Sequence, residues 1–364
     1  MTRECDAVGG INLGQGICQL PTPELVAQGA ISAIGRGDAI YSYPEGILPL
    51  REAIAQKLER ENGITADPLS EILVTSGASG AYTAALHGLF DPGDGILLFE
   101  PYYGYHRNAA IVAGLVPQIA TLRAPGYEVT RSLLLEAIDE KTRAVMVCTP
   151  SNPSGKMWSV PELEVLAQVA REKDLVVITD EIYECITYDG AAHVSPATVA
   201  DLRDRTVTIM GLSKTFSITG WRLGYAVAPA AWAQAMTVVH DLFYICAPTP
   251  LQHGVTAGFA LPTSFYDEMR AEYARKREVL CEALTATGLE PTWPEGAYYV
   301  LADMGKLERP SAREACMELL ERVGVASIPG SAFYDGSRGE GCARFCFALA
   351  EERISLAAER LRSL

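Results

Sequence analysis

Short runs of consecutive apolar residues alternate along the middle of the chain with segments of helical periodicity. Six such runs predict strands, at Glu71–Thr75, Gly95–Phe99, Ala144–Thr149, Leu175–Thr179, Thr206–Met210 and Gly224–Val227. Helical patterns separate most of them, at Gly80–Phe90, Leu133–Lys141 and Pro161–Lys173. Apolar strands alternating with helices are typical of a mostly parallel sheet with helices on both faces. We therefore predict an α/β protein.

The pattern changes after Leu261–Pro262. A long helical pattern covers Thr263–Thr287, and a mixed region follows it. This region contains two predicted strands and two predicted helices, near Ala297–Leu301, Arg344–Phe347, Ala312–Val323 and Glu352–Arg362. We predict a large domain over residues 27–263. Residues 1–26 and 264–364 should form an N-terminal arm and a smaller α+β domain.

The composition and charge of the chain argue against several classes of function. The 364 residues carry a formal net charge of -15, which opposes non-specific binding of nucleic acid. No apolar run is long enough to span a bilayer, and no secretory signal precedes the first element, so we expect no membrane partner. The nine cysteines include no Cys-x-x-Cys, as expected of reduced thiols in a cytoplasmic protein. The five histidines show no metal-ligand spacing, so we expect no metal.

Lys214 lies in the run Gly211–Tyr225, among glycines, hydroxyl residues and apolar residues, and Arg222 follows eight residues later. Burial lowers the pKa of a lysine and favours its neutral amine, a nucleophile for carbonyl groups. Pyridoxal 5'-phosphate (PLP) is the usual carbonyl partner of such a lysine, and Arg222 could hold its phosphate. The alternative is a surface loop in which Lys214 is solvated.

Polar residues end or follow two predicted strands. Asp180 follows Leu175–Thr179, at the strand end where open α/β sheets bind ligands. There an aspartate can pair with the ring nitrogen of PLP, while Tyr183 and Asn152 can reach its phenolate oxygen. Alternatively, Asp180 caps a helix, Tyr183 packs in the core and Asn152 serves a turn.

Three further features fit the same cofactor. The small-residue turn Thr75–Gly80 joins a strand to a helix, whose first N–H groups can bind phosphate, or it is an ordinary turn. Tyr103 can stack on a planar cofactor or simply pack. Arg344 can grip a substrate carboxylate or form a structural ion pair. The chain has neither a P-loop motif nor a GxGxxG fingerprint, which disfavours ATP and dinucleotides.

These residues, in this order, resemble those of the fold type I PLP enzymes, specifically the class I/II aminotransferases. The likeness extends from Asn12–Gly16 to Arg344–Phe347. Within the family the chain looks most like the kynurenine aminotransferase/glutamine transaminase K branch, on the runs Leu13–Gly16, Pro294–Asp303 and Ile328–Tyr334.

The resemblance implies a role for each matching residue. Lys214 would form the Schiff base with PLP and act in catalysis with Tyr183 and Asp180. The implied cofactor-binding residues are Lys214, Asp180, Tyr183, Asn152, Tyr103, Gly77, Ala78, Ser79, Ser213, Arg222 and Tyr41. Arg344, Gly16 and Asn152 would bind the substrate. Tyr41 would reach the phosphate in the partner subunit, which implies a homodimer with shared active sites.

Two departures from the family pattern stand out. Three residues before the lysine the family usually has a phosphate-binding serine or threonine, and here the residue is Gly211. Ser213 or a water could supply the missing contact. After Gly16 the branch usually continues with an aromatic residue, Pro and Asp, whereas this chain has Ile17–Leu20. Because that segment lies near the substrate side chain in relatives, donor specificity should differ.

The resemblance implies a PLP-dependent aminotransferase with ping-pong kinetics. We expect glutamine, methionine or an aromatic amino acid as donor, because no arginine stands out for a second carboxylate. One alternative is a PLP-dependent β-elimination C–S lyase. Another is the non-catalytic PLP-binding sensor module of a transcription regulator. That module would need an N-terminal DNA-binding domain, and the aminotransferase pattern already begins at Asn12.

Overall fold

The computed structural model describes residues 1–364, and its helices and strands alternate through most of the chain. The strands are β1 (Ile11–Asn12), β2 (Ile72–Thr75), β3 (Gly95–Glu100), β4 (Val116–Thr121), β5 (Thr142–Cys148), β6 (Val176–Asp180), β7 (Thr206–Gly211), β8 (Gly224–Val227), β9 (Glu290–Thr292), β10 (Tyr299–Asp303), β11 (Val325–Ala326), β12 (Ile328–Pro329) and β13 (Cys342–Cys346). The helices are α1 (Thr2–Ala7), α2 (Glu24–Arg36), α3 (Leu48–Lys57), α4 (Gly77–Leu89), α5 (Gly104–Val112), α6 (Arg131–Ala137), α7 (Val160–Glu172), α8 (Leu212–Thr215), α9 (Ala230–Tyr244), α10 (Thr249–Gly258), α11 (Thr263–Ala286), α12 (Ala312–Val323) and α13 (Glu351–Leu361).

A seven-stranded sheet in the order β2-β8-β7-β6-β5-β3-β4 forms the centre of the molecule. The five strands β3 to β7 run parallel, and only β8 runs opposite to its neighbours. Every residue of β3 and β7 is buried, as expected where helices cover both faces of a sheet. The prediction of an α/β fold with a mostly parallel sheet is confirmed.

The register of the sheet brings the ends of three parallel strands together. Cys148 at the end of β5 lies opposite Asp180 at the end of β6, and Asp180 lies opposite Ile209 in β7. Residues that follow these ends therefore meet at one edge of the sheet. Asn152 and Lys214 follow β5 and β7 respectively, so both come to the edge that carries Asp180.

Most predicted helices and strands begin and end within three residues of the observed ones. The helix after the small-residue turn begins at Gly77 rather than Gly80, so it includes the residues expected to bind phosphate. The helix predicted to reach Lys141 ends at Ala137, because Ile138 is already extended. Strand β4 had no predicted counterpart. It lies at the sheet edge, and its residues are mostly half-buried rather than apolar throughout.

The remaining elements form a second, smaller group. Strands β12, β13, β10 and β9 make an antiparallel sheet, and β1 pairs with β11. Helix α11 packs against α13, and buried residues of α11 to α13 share one core with β10 and β13. Helix α12 has the predicted boundaries, with the Ser311 side chain accepting a hydrogen bond from the Glu314 N–H at its start. No helix of the molecule combines the length and apolar character needed to cross a membrane.

Candidate active site

Lys214 lies in the single-turn helix α8, directly after β7. Its side chain is half-buried, and Nζ donates a hydrogen bond of 3.1 Å to the Gly16 carbonyl. The same Nζ lies 5.7 Å from the centre of the Tyr298 ring. Burial lowers the pKa of Lys214 below its usual value, and the nearby Arg222 adds to this shift, while Cys18, Cys346 and Asp180 oppose it. The surface-loop alternative is therefore wrong for this lysine.

Asp180 is buried at the end of β6 and is held by a histidine. The Nε2 atom of His106, in α5, lies 2.8 Å from Oδ2 of Asp180. Oδ1 of Asp180 accepts the backbone N–H of Ile182 at 3.3 Å. A carboxylate fixed by two donors keeps one orientation toward the cavity at the sheet edge, which is what pairing with a protonated ring nitrogen requires.

Arg222 and the start of α4 form a small cradle. Nη2 of Arg222 donates to Oγ of Ser79 at 3.0 Å, and Nη1 donates to the Thr219 carbonyl at 3.2 Å. A Cβ on Gly77 would lie 2.7 Å from Nη2 of Arg222, and a Cβ on Gly224 would lie 2.6 Å from the Ala78 nitrogen. Glycine at both positions therefore lets the guanidinium and the first N–H groups of the helix converge, which favours an anion.

Arg344 is buried in β13 and is the third basic group of the site. Nη1 donates to Oδ1 of Asn152 at 2.8 Å, and Nη2 donates to the Gly14 carbonyl at 2.6 Å. The guanidinium lies 4.3 Å from the centre of the Tyr299 ring. Its Nε has no hydrogen-bond partner. No carboxylate pairs with this arginine, so the structural ion pair that was the alternative is absent.

Tyr183 links the two halves of the site. Its hydroxyl donates to the Tyr299 hydroxyl at 3.2 Å, and Tyr299 in turn lies under Arg344. Burial raises the pKa of Tyr183 well above its usual value, so the phenol stays protonated and can donate.

A cavity of about 410 Å³ lies between Lys214, Asp180 and the cradle at Arg222, and neither Tyr183 nor Arg344 lines it. Its lining includes seven of the predicted site residues: Lys214, Asp180, Arg222, Ser213, Ala78, Ser79 and Tyr103. Asn152 lines a small adjoining cavity that shares Tyr103 and His106 with the first. A larger cleft of about 870 Å³ elsewhere contains none of the predicted residues, so size alone does not identify the site.

Further contacts place Tyr103 in the wall of the cavity and Tyr41 away from it. Tyr103 stacks on Tyr105, with 5.1 Å between ring centres, and burial raises its pKa to about 12. Gly16 contacts Lys214 through its carbonyl, whereas Gly14 provides the carbonyl that contacts Arg344. Tyr41 is 76% exposed and does not line the cavity of its own subunit.

A family model described as aminotransferase class I and II matches residues 8–361 of this chain. The chain belongs to the class I and II aminotransferases. This family uses PLP, so the protein is a PLP-dependent transferase.

Relatives and solved structures of the family resemble the chain over nearly its whole length. An aspartate aminotransferase of Pyrococcus abyssi is 34% identical over 97% of this chain and 91% of that protein. An aromatic-amino-acid aminotransferase of Thermococcus litoralis is 33% identical over 98% of this chain and 92% of that protein. The structure of Escherichia coli YbdL, described as having a methionine aminotransferase function, has a TM-score of 0.96 and 32% identity, covering 100% of this chain and 96% of that one.

The residues of this aminotransferase fit PLP. Two glycines keep open a cradle that a Cβ would fill, beside an arginine and a helix N-terminus suited to a phosphate. The half-buried amine of Lys214 and the buried carboxylate of Asp180 line the same cavity. The aldehyde of PLP requires an amine, and its pyridine nitrogen requires a carboxylate.

Some functional positions of this aminotransferase have no clear signal in the sequence. His106 holds Asp180 from 74 residues away. Its spacing of three residues from Tyr103, one helical turn, could have indicated a shared face. Tyr299 contacts both Tyr183 and Arg344, although the sequence marks it only as part of a family-like run.

Proposed function

We propose that this aminotransferase transfers the amino group of an L-amino acid to a 2-oxo acid by a ping-pong mechanism. The observation that carries the proposal is Lys214. Its amine is half-buried, has a lowered pKa, and shares one cavity with Asp180 and Arg222. A lysine that is partly neutral at the working pH can serve both as the attachment point of the cofactor and as a base.

The residues that would hold PLP surround the cavity. Arg222, Ser79 and the first N–H groups of α4 would bind the phosphate, with Ser213 as a further hydroxyl. Asp180, fixed by His106, would pair with the ring nitrogen. Tyr183 and Asn152 would donate to the phenolate oxygen, and Tyr103 would stack on the ring. When bound, PLP supplies an electron sink for the charge that develops at the substrate Cα.

The proposed steps give separate roles to two basic side chains, Arg344 and Lys214. Arg344 binds the α-carboxylate of the substrate, and its unpartnered Nε together with Nη atoms offers a fork for two oxygens. The neutral amine of Lys214 would take the Cα proton of the bound amino acid and hold it for return later in the cycle. The donor leaves as a 2-oxo acid before the acceptor binds, which gives ping-pong kinetics.

The donor we propose has a glutamine, methionine or aromatic side chain. Lys214 and Arg222 are the only Lys or Arg side chains that line the cavity, and both are assigned to the cofactor, while Arg344, which lies outside this lining, is assigned to the α-carboxylate. A dicarboxylate donor would need another cation. Tyr298 and Cys18, whose Sγ lies 3.6 Å from the Tyr298 hydroxyl, instead place a thiol and an aromatic ring near Lys214. These features favour such a donor over aspartate. We propose membership of the kynurenine aminotransferase/glutamine transaminase K branch on the runs Leu13–Gly16, Pro294–Asp303 and Ile328–Tyr334, because Cys18 lies in the segment that departs from the branch.

We also propose a homodimer with shared active sites. Tyr41 and Tyr43 are 76% and 75% exposed, and Leu242 on α9 is 80% exposed. Exposed aromatic and apolar side chains in such number are typical of an interface. The proposed role of Tyr41 is to contact the phosphate in the partner subunit. Within each subunit we propose the domain division at residues 27–263, because buried residues of α11 to α13 share a core with β10 and β13, to which the large domain adds Tyr183, Ile186 and Tyr188.

The decisive experiment compares wild-type protein with Lys214→Ala and Lys214→Arg. We expect wild type to show the visible absorbance of lysine-bound PLP, to lose it on addition of a donor and to regain it with a 2-oxo acid. Both variants should lack the absorbance and the activity. A Lys214→Ala variant with full activity would contradict the proposal.

The same absorbance identifies the donor. Each amino acid is added alone, without a 2-oxo acid, and the loss of the band is recorded. Methionine, glutamine and aromatic amino acids should react faster than aspartate. Release of pyruvate from cystathionine without any 2-oxo acid would instead support a C–S lyase.

A further inference from the structure

His240 is a fully buried histidine in α9 that contacts the start of α4. Its Nε2 accepts the backbone N–H of Ser76 at 3.0 Å. Because Nε2 is the acceptor, the ring is neutral and its proton sits on Nδ1. The ring lies 5.1 Å from that of Tyr244, and no carboxylate pairs with it.

Ser76 is the residue from which α4 enters the phosphate cradle. It occupies the N-cap position, but its side chain makes no capping hydrogen bond. Its backbone, with φ -70° and ψ 67°, turns the chain just before Gly77. His240 accepts the N–H of the N-cap residue, the donor that the N3 residue of a capping box would otherwise accept, and so ties the backbone before the first turn of α4 to α9. The N–H groups of Gly77, Ala78 and Ser79 depend on that direction.

Nδ1, on the other side of the His240 ring, has no hydrogen-bond partner but lies near Pro44, in the segment that carries Tyr41. A backbone interaction with Pro44 raises the pKa of His240, against the larger lowering that burial causes. The segment is held to the same part of the molecule by two further contacts. The Val74 N–H donates to the Glu45 carbonyl at 3.0 Å, and Oε1 of Gln252 accepts the Ile47 N–H at 2.9 Å.

We propose that His240 is a positioning residue for phosphate binding, acting through the Ser76 N–H on the cradle of its own subunit. It stands between that cradle and the segment expected to reach the partner's phosphate. The proposal rests on the proposed function, because it assumes that PLP occupies the cavity. His240 itself does not contact the cofactor in this proposal.

The test uses two substitutions at position 240 and one control. His240→Gln keeps a side-chain oxygen that can accept the Ser76 N–H, whereas His240→Phe keeps a ring and cannot accept it. Loss of an acceptor that leaves a buried N–H unpaired should weaken PLP binding about tenfold to a hundredfold in the Phe variant. The Gln variant should remain within about threefold of wild type. Thr237→Val, which removes a hydroxyl bonded to the Ala233 carbonyl one turn earlier in α9, should leave PLP affinity unchanged.

Affinity is measured by titrating PLP-free protein with PLP and following the lysine-bound absorbance. Amide hydrogen exchange of the peptide that contains Ser76 provides a readout that needs no cofactor. Exchange should be faster in the Phe variant and near wild type in the Gln variant. Should the Phe variant fail to fold, Ser76→Pro removes the same N–H at a φ that proline tolerates, and it should weaken PLP binding to the same degree.

Each outcome decides the proposal. Equal PLP affinity and equal exchange in the Gln and Phe variants would overturn it, as would normal affinity in Ser76→Pro. If wild type itself binds no PLP, the proposed function fails, and the exchange of the Ser76 peptide still reports whether His240 fixes the start of α4.

Discussion

Replacing Gly211 with serine would restore the hydroxyl that the family usually carries three residues before the lysine. The backbone of Gly211 is extended, with φ -116° and ψ 135°, so any residue can adopt it. The obstacle is Ile182. A Cβ on Gly211 would lie 2.8 Å from Cγ2 and 3.0 Å from Cβ of Ile182. Non-bonded carbon atoms prefer about 3.5–4.0 Å, so the glycine makes room for the isoleucine.

Two opposing free energies decide the effect of Gly211→Ser. Forcing an extra atom into a packed region costs about 1–3 kcal/mol. A hydroxyl that donates to a charged phosphate contributes about 1.5–3 kcal/mol. Because these nearly cancel, the single variant should bind PLP within about tenfold of wild type and unfold at a lower temperature. Ile182→Ala removes the closer of the two contacts, so serine should tighten PLP binding about tenfold in that background.

The assay is a double-mutant cycle on PLP affinity and melting temperature, with wild type, both single variants and the double variant. We expect a coupling free energy of about 1–3 kcal/mol between positions 182 and 211. Gly211→Ala is the control, because it adds the Cβ without the hydroxyl and should lower the melting temperature without an affinity gain. If Gly211→Ser alone tightened PLP binding tenfold at an unchanged melting temperature, the steric argument would be refuted.

Three further substitutions test other parts of the site. His106→Phe removes the donor that fixes Asp180, so kcat should fall about tenfold to a hundredfold through loss of a charge-assisted hydrogen bond; an unchanged kcat contradicts this. Tyr299→Leu removes the ring beneath Arg344 and should raise KM for the amino acid about threefold to thirtyfold, whereas Tyr299→Phe should not; equal KM values in both variants would count against the stacking. In the PLP-free protein, burial lowers the pKa of Lys214, so the unfolded chain binds more protons and stability rises with pH between the folded and unfolded pKa values. Lys214→Met should therefore raise the melting temperature most at neutral pH and less as pH approaches about 10.4. An increase in melting temperature that does not depend on pH would show that the amine is not desolvated.

Much of the site could be predicted because its residues lie at the carboxyl ends of parallel strands. Asp180 ends an apolar run, and Lys214 closely follows another. In a parallel sheet such ends share one edge, so a local pattern is enough to place these residues together. Strand β4 was not predicted, because an edge strand is only half-buried and lacks the continuous apolar run of a central strand.

The residues that support the site could not be predicted in the same way. His106 meets Asp180, and His240 meets Ser76, across 74 and 164 residues of sequence. Such contacts depend on how helices pack on the sheet, and the local hydrophobic periodicity of the sequence does not predict that packing. The anomaly at Gly211 was visible in the sequence, but its cause, the methyl group of Ile182, is a contact in space.

These unpredicted residues support the site from three separate elements. His106 on α5 holds the carboxylate, Tyr299 at the start of β10 contacts Tyr183, and His240 on α9 holds the start of the cradle. Because none of the three hydrogen-bonds to another, their substitutions should act almost independently on cofactor affinity. His240 and Ser76 share one hydrogen bond, so either substitution removes it. His240→Phe combined with Ser76→Pro should therefore weaken PLP binding no more than either substitution alone. By contrast, combining His240→Phe with His106→Phe should multiply their separate effects. Additivity of His240→Phe and Ser76→Pro would mean that the two residues do not act through a shared interaction, and strong coupling between His240→Phe and His106→Phe would mean that the supports act as one network.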